Sequence, residues 1–375
     1  MTCIQSAVFI GGGIAGFAAA IALARAGVEC DVVEQSESQQ GASLGFSGRA
    51  AMALVELGVY DEVRATGRAF GADSTATQFR DAAGNLISPG PRRPTWPGAV
   101  DNVAVYRPVF VEVMAEAAHH LGVNIRRGVT AETIENEEDG VMVTFTDGTT
   151  RRYDLLVGCD GIGSKTRAAL FPGAPEPAYS GQLSIRWMAQ GDPIEMEGWY
   201  VGPVGRLGFY YLPQGMVYVA SVINIPDERR WSYQEVYALM KRLLDSYTAP
   251  AVVELRRRLT PDSLLIGRPF EWLLVPDRWY HRRALLIGDA AHATTAHMGM
   301  GGGMALEDSA VLGQCIAAAP TLQGALEAFM VRRLERVKLV VETSVKLSRL
   351  EQEKAPESEN VALLTKAFQA LGQPY

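Results

Sequence analysis

Apolar positions fall into two rhythms along the chain. Ala7-Val8-Phe9-Ile10 is a continuous apolar run, short enough for a fully buried strand, and a glycine turn follows at Gly11 to Gly16. Phe17 to Ala26 reads as an alanine-rich helix stopped by Gly27, and Cys30 to Glu34 as a second strand. That order predicts a parallel pair with a right-handed crossover. Tyr153 to Cys159, after a hairpin turn at Asp147-Gly148, and Ala284 to Ile287 repeat the buried-strand pattern. Between them, from about Gly181 to Arg268, the rhythm shortens. Runs such as Leu207 to Leu212 and Val217 to Ala220 predict antiparallel strands, with a helix over about Tyr233–Tyr247. From Met304 the period is helical, and a polar tail is expected after Lys354.

Two stretches break these rhythms. Gly84 to Gly98 carries Pro89, Pro91, Pro94 and Pro97, and Pro172 to Pro177 is also proline-rich; both read as passages between domains. A length of 375 residues supports two or three packed units rather than one small core. An apolar share of 48% with 21% charged residues excludes a disordered chain. The formal net charge of -7 disfavours nucleic acid as a partner, because displacing counterions needs a basic surface. Cys3, Cys30, Cys159 and Cys315 form no C-x-x-C pair, so no metal site or disulfide framework is expected. Ala7 to Ala24 is apolar, but three consecutive glycines interrupt it and no basic residue precedes it, so it does not read as a signal peptide. No membrane span is expected, and the cytoplasm is the expected compartment.

Three motifs carry chemistry. Gly11-Gly12-Gly13-Ile14-Ala15-Gly16 is G-x-G-x-x-G between a buried strand and a helix, with Glu34 about 20 residues on. Gly11 allows the tight turn, Gly13 lets a pyrophosphate approach the backbone, and Gly16 lets helix and strand pack closely. The helix N-terminus offers free N–H groups to phosphate. Glu34 suits a ribose diol and repels a 2'-phosphate, which favours FAD or NAD. Asp160-Gly161 ends the strand at Cys159 and opens a short helix; Arg167 there is expected to pair with a surface carboxylate, with a phosphate contact as the alternative. Gly288-Asp289 ends the strand at Ile287 and leads to Gly299-Met300-Gly301-Gly302-Gly303, which opens a further helix. There an aspartate can bind sugar hydroxyls and backbone N–H groups can face a negative centre.

These motifs, in this order, with a strand-rich region between the last two, resemble the single-component (class A) flavoprotein aromatic hydroxylases. This is the p-hydroxybenzoate hydroxylase superfamily, which includes salicylate, 6-hydroxynicotinate and urate hydroxylases. The resemblance implies an α/β fold: a Rossmann-like FAD-binding domain, an inserted substrate domain on a mostly antiparallel sheet, and C-terminal helices. The corresponding divisions are 1–75, 98–180 and 267–320 for FAD, 76–97 and 181–266 for substrate, and 321–375 for the helical end. It implies FAD contacts from Gly11, Gly13, Ala15, Gly16, Glu34, Gln35, Arg107, Val129, Asp160, Gly161, Gly288, Asp289, Gly299, Gly301 and Gly302. NAD(P)H would serve as co-substrate without a domain of its own, since no second fingerprint is present.

The implied reaction reduces FAD with NAD(P)H, adds O2 to give a C4a-hydroperoxide, and hydroxylates a small phenolic or hydroxypyridine-type acid. The alternative is a reductase or halogenase of the same fold, although the W-x-W-x-I-P segment of halogenases is missing. A monomer or homodimer is expected. Arg206, Tyr211, Tyr218 and His297 are the expected substrate residues, with Arg186 and Trp187 behind them. Arg206 resembles the position of a substrate-binding arginine in urate-type members, and an arginine fork there suits a carboxylate or an imide-like edge. His297 is the candidate catalytic base, because it follows Ala296 where relatives carry a proline beside the flavin; His292 is expected to be structural. Met300 stands where relatives have glutamine. Gly48-Arg49 replaces Pro-Asn, so Arg49 faces either the flavin or the surface.

Overall fold

The apolar runs form the middle of one sheet. In the computed structural model, which describes residues 2–38, 41–72 and 78–375, six strands align in the order Tyr280–His281, Ala284–Leu286, Leu155–Gly158, Ser6–Ile10, Glu29–Glu34 and Asn124–Arg127. Ser6–Ile10 lies parallel to both neighbours. Parallel strands need cover on both faces. Helices Ile14–Arg25, Arg107–His120 and Gly301–Ala318 cover one face. On the other, the hairpin sheet of Ala131–Asn136, Val141–Phe145 and Thr150–Tyr153 packs Val141, Val143 and Phe145 against Val8, Ile10 and Val33.

Two local readings shift. The first helix starts at Ile14 with Gly13 as its N-cap, three residues before Phe17. The expected strand Tyr153 to Cys159 is two strands in different sheets, broken at Asp154. The Asp154 carboxylate accepts the N–H groups of Gln5 and Ser6 at 2.7 and 3.1 Å, which anchors the break to the start of the central strand.

The second body is a seven-stranded sheet in the order Leu265–Trp272, Ala178–Gln190, Met216–Asn224, Arg206–Leu212, Gly198–Val201, Phe79–Arg80 and Leu86–Ser88. Helices Tyr233–Asp245 and Pro250–Arg258 cover one face through Leu183, Ile185, Trp187, Leu207, Phe209 and Val219. The opposite face looks toward the first body. Ala178–Gln190 and Leu265–Trp272 run through the expected boundaries at 180 and 267, because a strand that links two bodies need not end where they meet. The boundary expected at 75 lies outside the described residues. A small sheet of Ser43–Phe46, Asn102–Tyr106 and Arg68–Phe70 joins the bodies. From it, Ser43 accepts the Tyr210 hydroxyl at 2.8 Å and Arg68 pairs with Glu197 at 2.7 Å.

The 31-residue helix Leu322–Gln352 is followed by a second helix, Glu357–Leu371, where a polar tail was expected. Leu364, Ala367, Phe368 and Leu371 recur at helical spacing and are buried, so burial of one stripe overrides a mostly polar composition. Arg49 donates to the Gly372 carbonyl at 2.9 Å and lies over Trp96, which fastens this helix. Among the described residues, no helix is long and apolar enough to cross a membrane.

Candidate active site

The glycine turn is shaped by close approach. Gly11 has φ +111°, and a Cβ there would stand 2.5 Å from the Cys159 carbonyl oxygen. A Cβ on Gly16 would stand 1.9 Å from the Gly11 carbonyl oxygen. Gly13 differs: nothing lies within 4 Å of its would-be Cβ, so its bare side faces open space. That space is a cleft of about 780 Å³, lined by Gly13, Glu34, Gln35, Arg107, Asp160 and Lys165 among others. Its volume falls within the roughly 300–1,000 Å³ usual for ligand and cofactor sites. The helix behind Gly13 has no side-chain cap and no acidic residue in its first turn, which leaves its N–H groups and partial positive charge for an anion.

Glu34 holds the rim. Its carboxylate accepts the N–H groups of Gly12 at 2.9 Å and Ser36 at 2.8 Å, and its carbonyl accepts the N–H of Val129 at 3.1 Å. Asp160 is engaged in its own turn: it accepts from the Ser164 hydroxyl and, at 3.0 Å, from the Thr166 N–H. Arg167 corrects an expectation. It is buried, and its guanidinium donates to the carbonyls of Ala290 at 3.0 Å and Ile162 at 2.8 Å. It therefore ties the second motif to the third rather than meeting a surface carboxylate.

The third motif packs against the first. Gly288 has φ +58°, and a Cβ there would stand 3.0 Å from the Ala15 Cβ, so the first and third motifs touch at small residues. Asp289 is open to water, yet surrounding protein pushes its carboxyl up through desolvation, against the pull of His292, Arg107 and Arg186. Arg107 lies in the same field: burial pushes its guanidinium down, Asp289 opposes this, and its Nε is buried with no hydrogen-bond partner. A buried unmatched donor of this kind is costly unless a ligand satisfies it. Gly299, at φ +64°, and Gly301 with Gly302 at the start of Gly301–Ala318 close this end.

Behind this motif lies a buried charge network. Gly288 donates its N–H to Asp308 at 3.0 Å, His292 Nε2 meets the same carboxylate at 2.6 Å, and Arg333 pairs with Asp308 and Glu307, each at 2.8 Å. His292 is thus structural, as expected.

The substrate-side residues divide by strand face. Cross-strand pairing places Met188, Tyr218 and Tyr210 in one row and Arg186, Ala220 and Gly208 in the next. Tyr210 and Tyr218 meet edge to face at 5.2 Å, and Tyr210 reaches Ser43 on the first body. Tyr211 packs instead into the helix-covered layer, as does Trp187, because neighbours in a strand point to opposite faces. Arg206 shares the face of Tyr210 but is already paired: Glu351 stands 2.9 Å from its Nε and Glu357 2.7 Å from an NH2 group. His297 contacts the Thr295 hydroxyl through Nδ1 at 2.9 Å, places Nε2 3.1 Å from Glu351, and turns an edge to Phe270. Glu351, Glu357 and Tyr210 were not among the expected site residues. Glu351 and Glu357 sit on helices that read as surface from their charge, and strand parity alone could have favoured Tyr210 over Tyr211.

FAD fits this cleft on three counts: the open Gly13 cradle, the unmatched Arg107 donor, and the Glu34 carboxylate on its lining. The sequence profile of the FAD binding domain family matches residues 5–344. The aurachin C monooxygenase/isomerase of Stigmatella aurantiaca is 28% identical over 91% of this chain and 88% of its own length. A 3-amino-4-hydroxybenzoate 2-monooxygenase of Streptomyces platensis is 30% identical over 88% of this chain and 84% of its own. The crystal structure of Klebsiella pneumoniae HpxO complexed with FAD and uric acid superposes with a TM-score of 0.83 at 23% identity, covering 99% of this chain and 97% of that one. On this evidence the chain belongs to the FAD binding domain family and is an FAD-dependent monooxygenase.

Proposed function

We infer that the enzyme hydroxylates a small phenolic or hydroxypyridine-type ring with NAD(P)H and O2. The observation that carries this reading is a juxtaposition: the sheet face bearing Arg186, Tyr210 and Tyr218 brings Arg186 into the field of Asp289 and of Arg107, which lines the cleft. Bound FAD supplies the redox chemistry that activates O2. The chain supplies position and dryness. Gly13 and the helix N-terminus behind it would hold pyrophosphate, Glu34 the adenosine ribose, and Asp289 the ribityl hydroxyls. Arg107 would donate its free Nε–H to the cofactor.

On the substrate side, Tyr210 and Tyr218 offer aromatic surface and hydroxyls. Burial pushes the Tyr218 phenol up, so it stays a protonated donor. His297 is the base we assign: Thr295 at 2.9 Å from Nδ1 and Glu351 at 3.1 Å from Nε2 fix its ring, so it would take up a substrate proton only after one of these two contacts is released. The two curated relatives are named for a monooxygenase/isomerase and a hydroxybenzoate monooxygenase, which supports oxygen transfer to a ring. Four free cysteines suit a reducing cytoplasm, and a monomer or homodimer suffices for a site built within one chain.

The test is reconstitution with FAD and a panel of phenols and hydroxypyridines. Ring-stimulated NADH or NADPH oxidation should accompany a product heavier by one oxygen. Oxidation that yields only hydrogen peroxide with every ring refutes hydroxylation.

A further inference from the structure

The expected carboxylate receptor, Arg206, has no free face. Its partners come from the C-terminal helices, Glu351 from the last turn of Leu322–Gln352 and Glu357 from the first residue of Glu357–Leu371. The Arg206, Glu351, Glu357 and His297 side chains are only 14, 10, 8 and 6% exposed. Two carboxylates against one guanidinium leave the cluster net negative when the histidine is neutral. Glu351 is shared, 2.9 Å from Arg206 on the sheet and 3.1 Å from His297 on the loop after Asp289. It therefore stands where sheet and cofactor body meet.

A second observation points to a ligand. Asn360 is 2% exposed, and both its amide nitrogen and its oxygen lack a partner. It lies three residues after Glu357 on one helix, so both side chains emerge from one face. A buried amide with a vacant donor and a vacant acceptor is matched by a neutral group that both donates and accepts. A carboxylate ligand would instead meet two fixed carboxylates, and like charges brought together oppose binding. Two further arginines share this face: Arg186 lies in the field of Arg107, Asp289 and Tyr218 at the cofactor end, and Arg268, paired across from Ser184 on the outer strand, is exposed.

We propose that the wall formed by His297, Glu351, Arg206, Glu357 and Asn360 selects a neutral ring carrying an amide-like or N–H/C=O edge, and discriminates against ring carboxylates. This rests on the ring-hydroxylase reading above and puts a neutral ring in place of the acid expected from the sequence. The carboxylates are specificity-determining: they occupy the arginine that would otherwise receive an acid.

The experiment titrates the FAD-loaded enzyme with matched pairs, salicylamide against salicylate and hydroxynicotinamide against hydroxynicotinate, following perturbation of the flavin visible spectrum. The amides should bind at least ten-fold more tightly. Replacing both carboxylates, Glu351→Gln with Glu357→Gln, should move the ratio toward the acids by ten-fold or more. Glu357→Gln alone should move it part of the way, and it serves if the double variant does not fold. Tighter binding of the acids to the unaltered enzyme, or a ratio that ignores both substitutions, overturns the inference and leaves ring binding standing. If no ring of either kind perturbs the flavin, this inference and the ring-hydroxylase reading both fall.

Discussion

Asp308 offers the sharpest test of how the site is held. It is fully buried, accepts the Gly288 N–H, and pairs with His292 and Arg333. Burial pushes its carboxyl up, but His292 and Arg333 outweigh that and hold it down, from 3.8 to about 2. At about 1.4 kcal/mol per pKa unit, that difference corresponds to about 2 kcal/mol of stability. Asp308→Asn keeps the shape and an acceptor for Gly288 but leaves Arg333 short of one negative partner. Removing one member of a buried pair costs about 3–5 kcal/mol. Glu307 still holds Arg333, so the low end, about 3 kcal/mol, is expected.

Unfolding entropy near 2.1 cal/mol/K per residue gives about 0.8 kcal/mol/K for this length, so Tm should fall by about 4 °C. The sign with pH follows from the depressed pKa. The contribution is fully present above 3.8 and is lost as pH falls toward about 2. The Tm gap between the two proteins, measured by thermal unfolding, should therefore hold steady from pH 8 to 5 and narrow below 4. A gap under 1 °C at pH 7, or one that widens in acid, refutes the argument.

Other substitutions separate cradle from scaffold. Gly13→Ala adds a methyl to open space, so apo Tm should hold while FAD affinity falls at least ten-fold, read by flavin retention on gel filtration. Gly16→Ala should instead fail in the apo protein, with a large loss of Tm, since its methyl meets the Gly11 carbonyl. Arg107→Ala should leave apo Tm unchanged or slightly raised, because a buried donor without a partner is removed, and should weaken FAD binding measured by fluorescence titration. Arg167→Met should lower stability by about 2–3 kcal/mol in denaturant unfolding, since two carbonyls lose charged donors. Tyr210→Phe should weaken ring binding several-fold in the spectral titration while Tyr211→Phe leaves it unchanged; equal effects would refute the face assignment.

What the chain determined alone was local. Ala7 to Ile10, Gly11 to Gly16 and Glu34 lie within one strand–turn–helix–strand unit, so spacing along the sequence is also spacing in the fold. Asp160-Gly161 and Gly288-Asp289 are equally legible, because Gly161 and Gly288 take positive φ at these strand ends, a conformation that favours glycine. What only the tertiary structure decided is long-range. Arg167 binds Ala290 across 123 positions and Arg206 meets Glu357 across 151, and no periodicity encodes such pairs. Glu351, Glu357 and Asn360 look like ordinary helix-surface residues in sequence; only the return of the C-terminal helices over the sheet buries them. Burial is a property of the packed chain. It turned an arginine expected to receive a substrate carboxylate into one already neutralised by the protein's own.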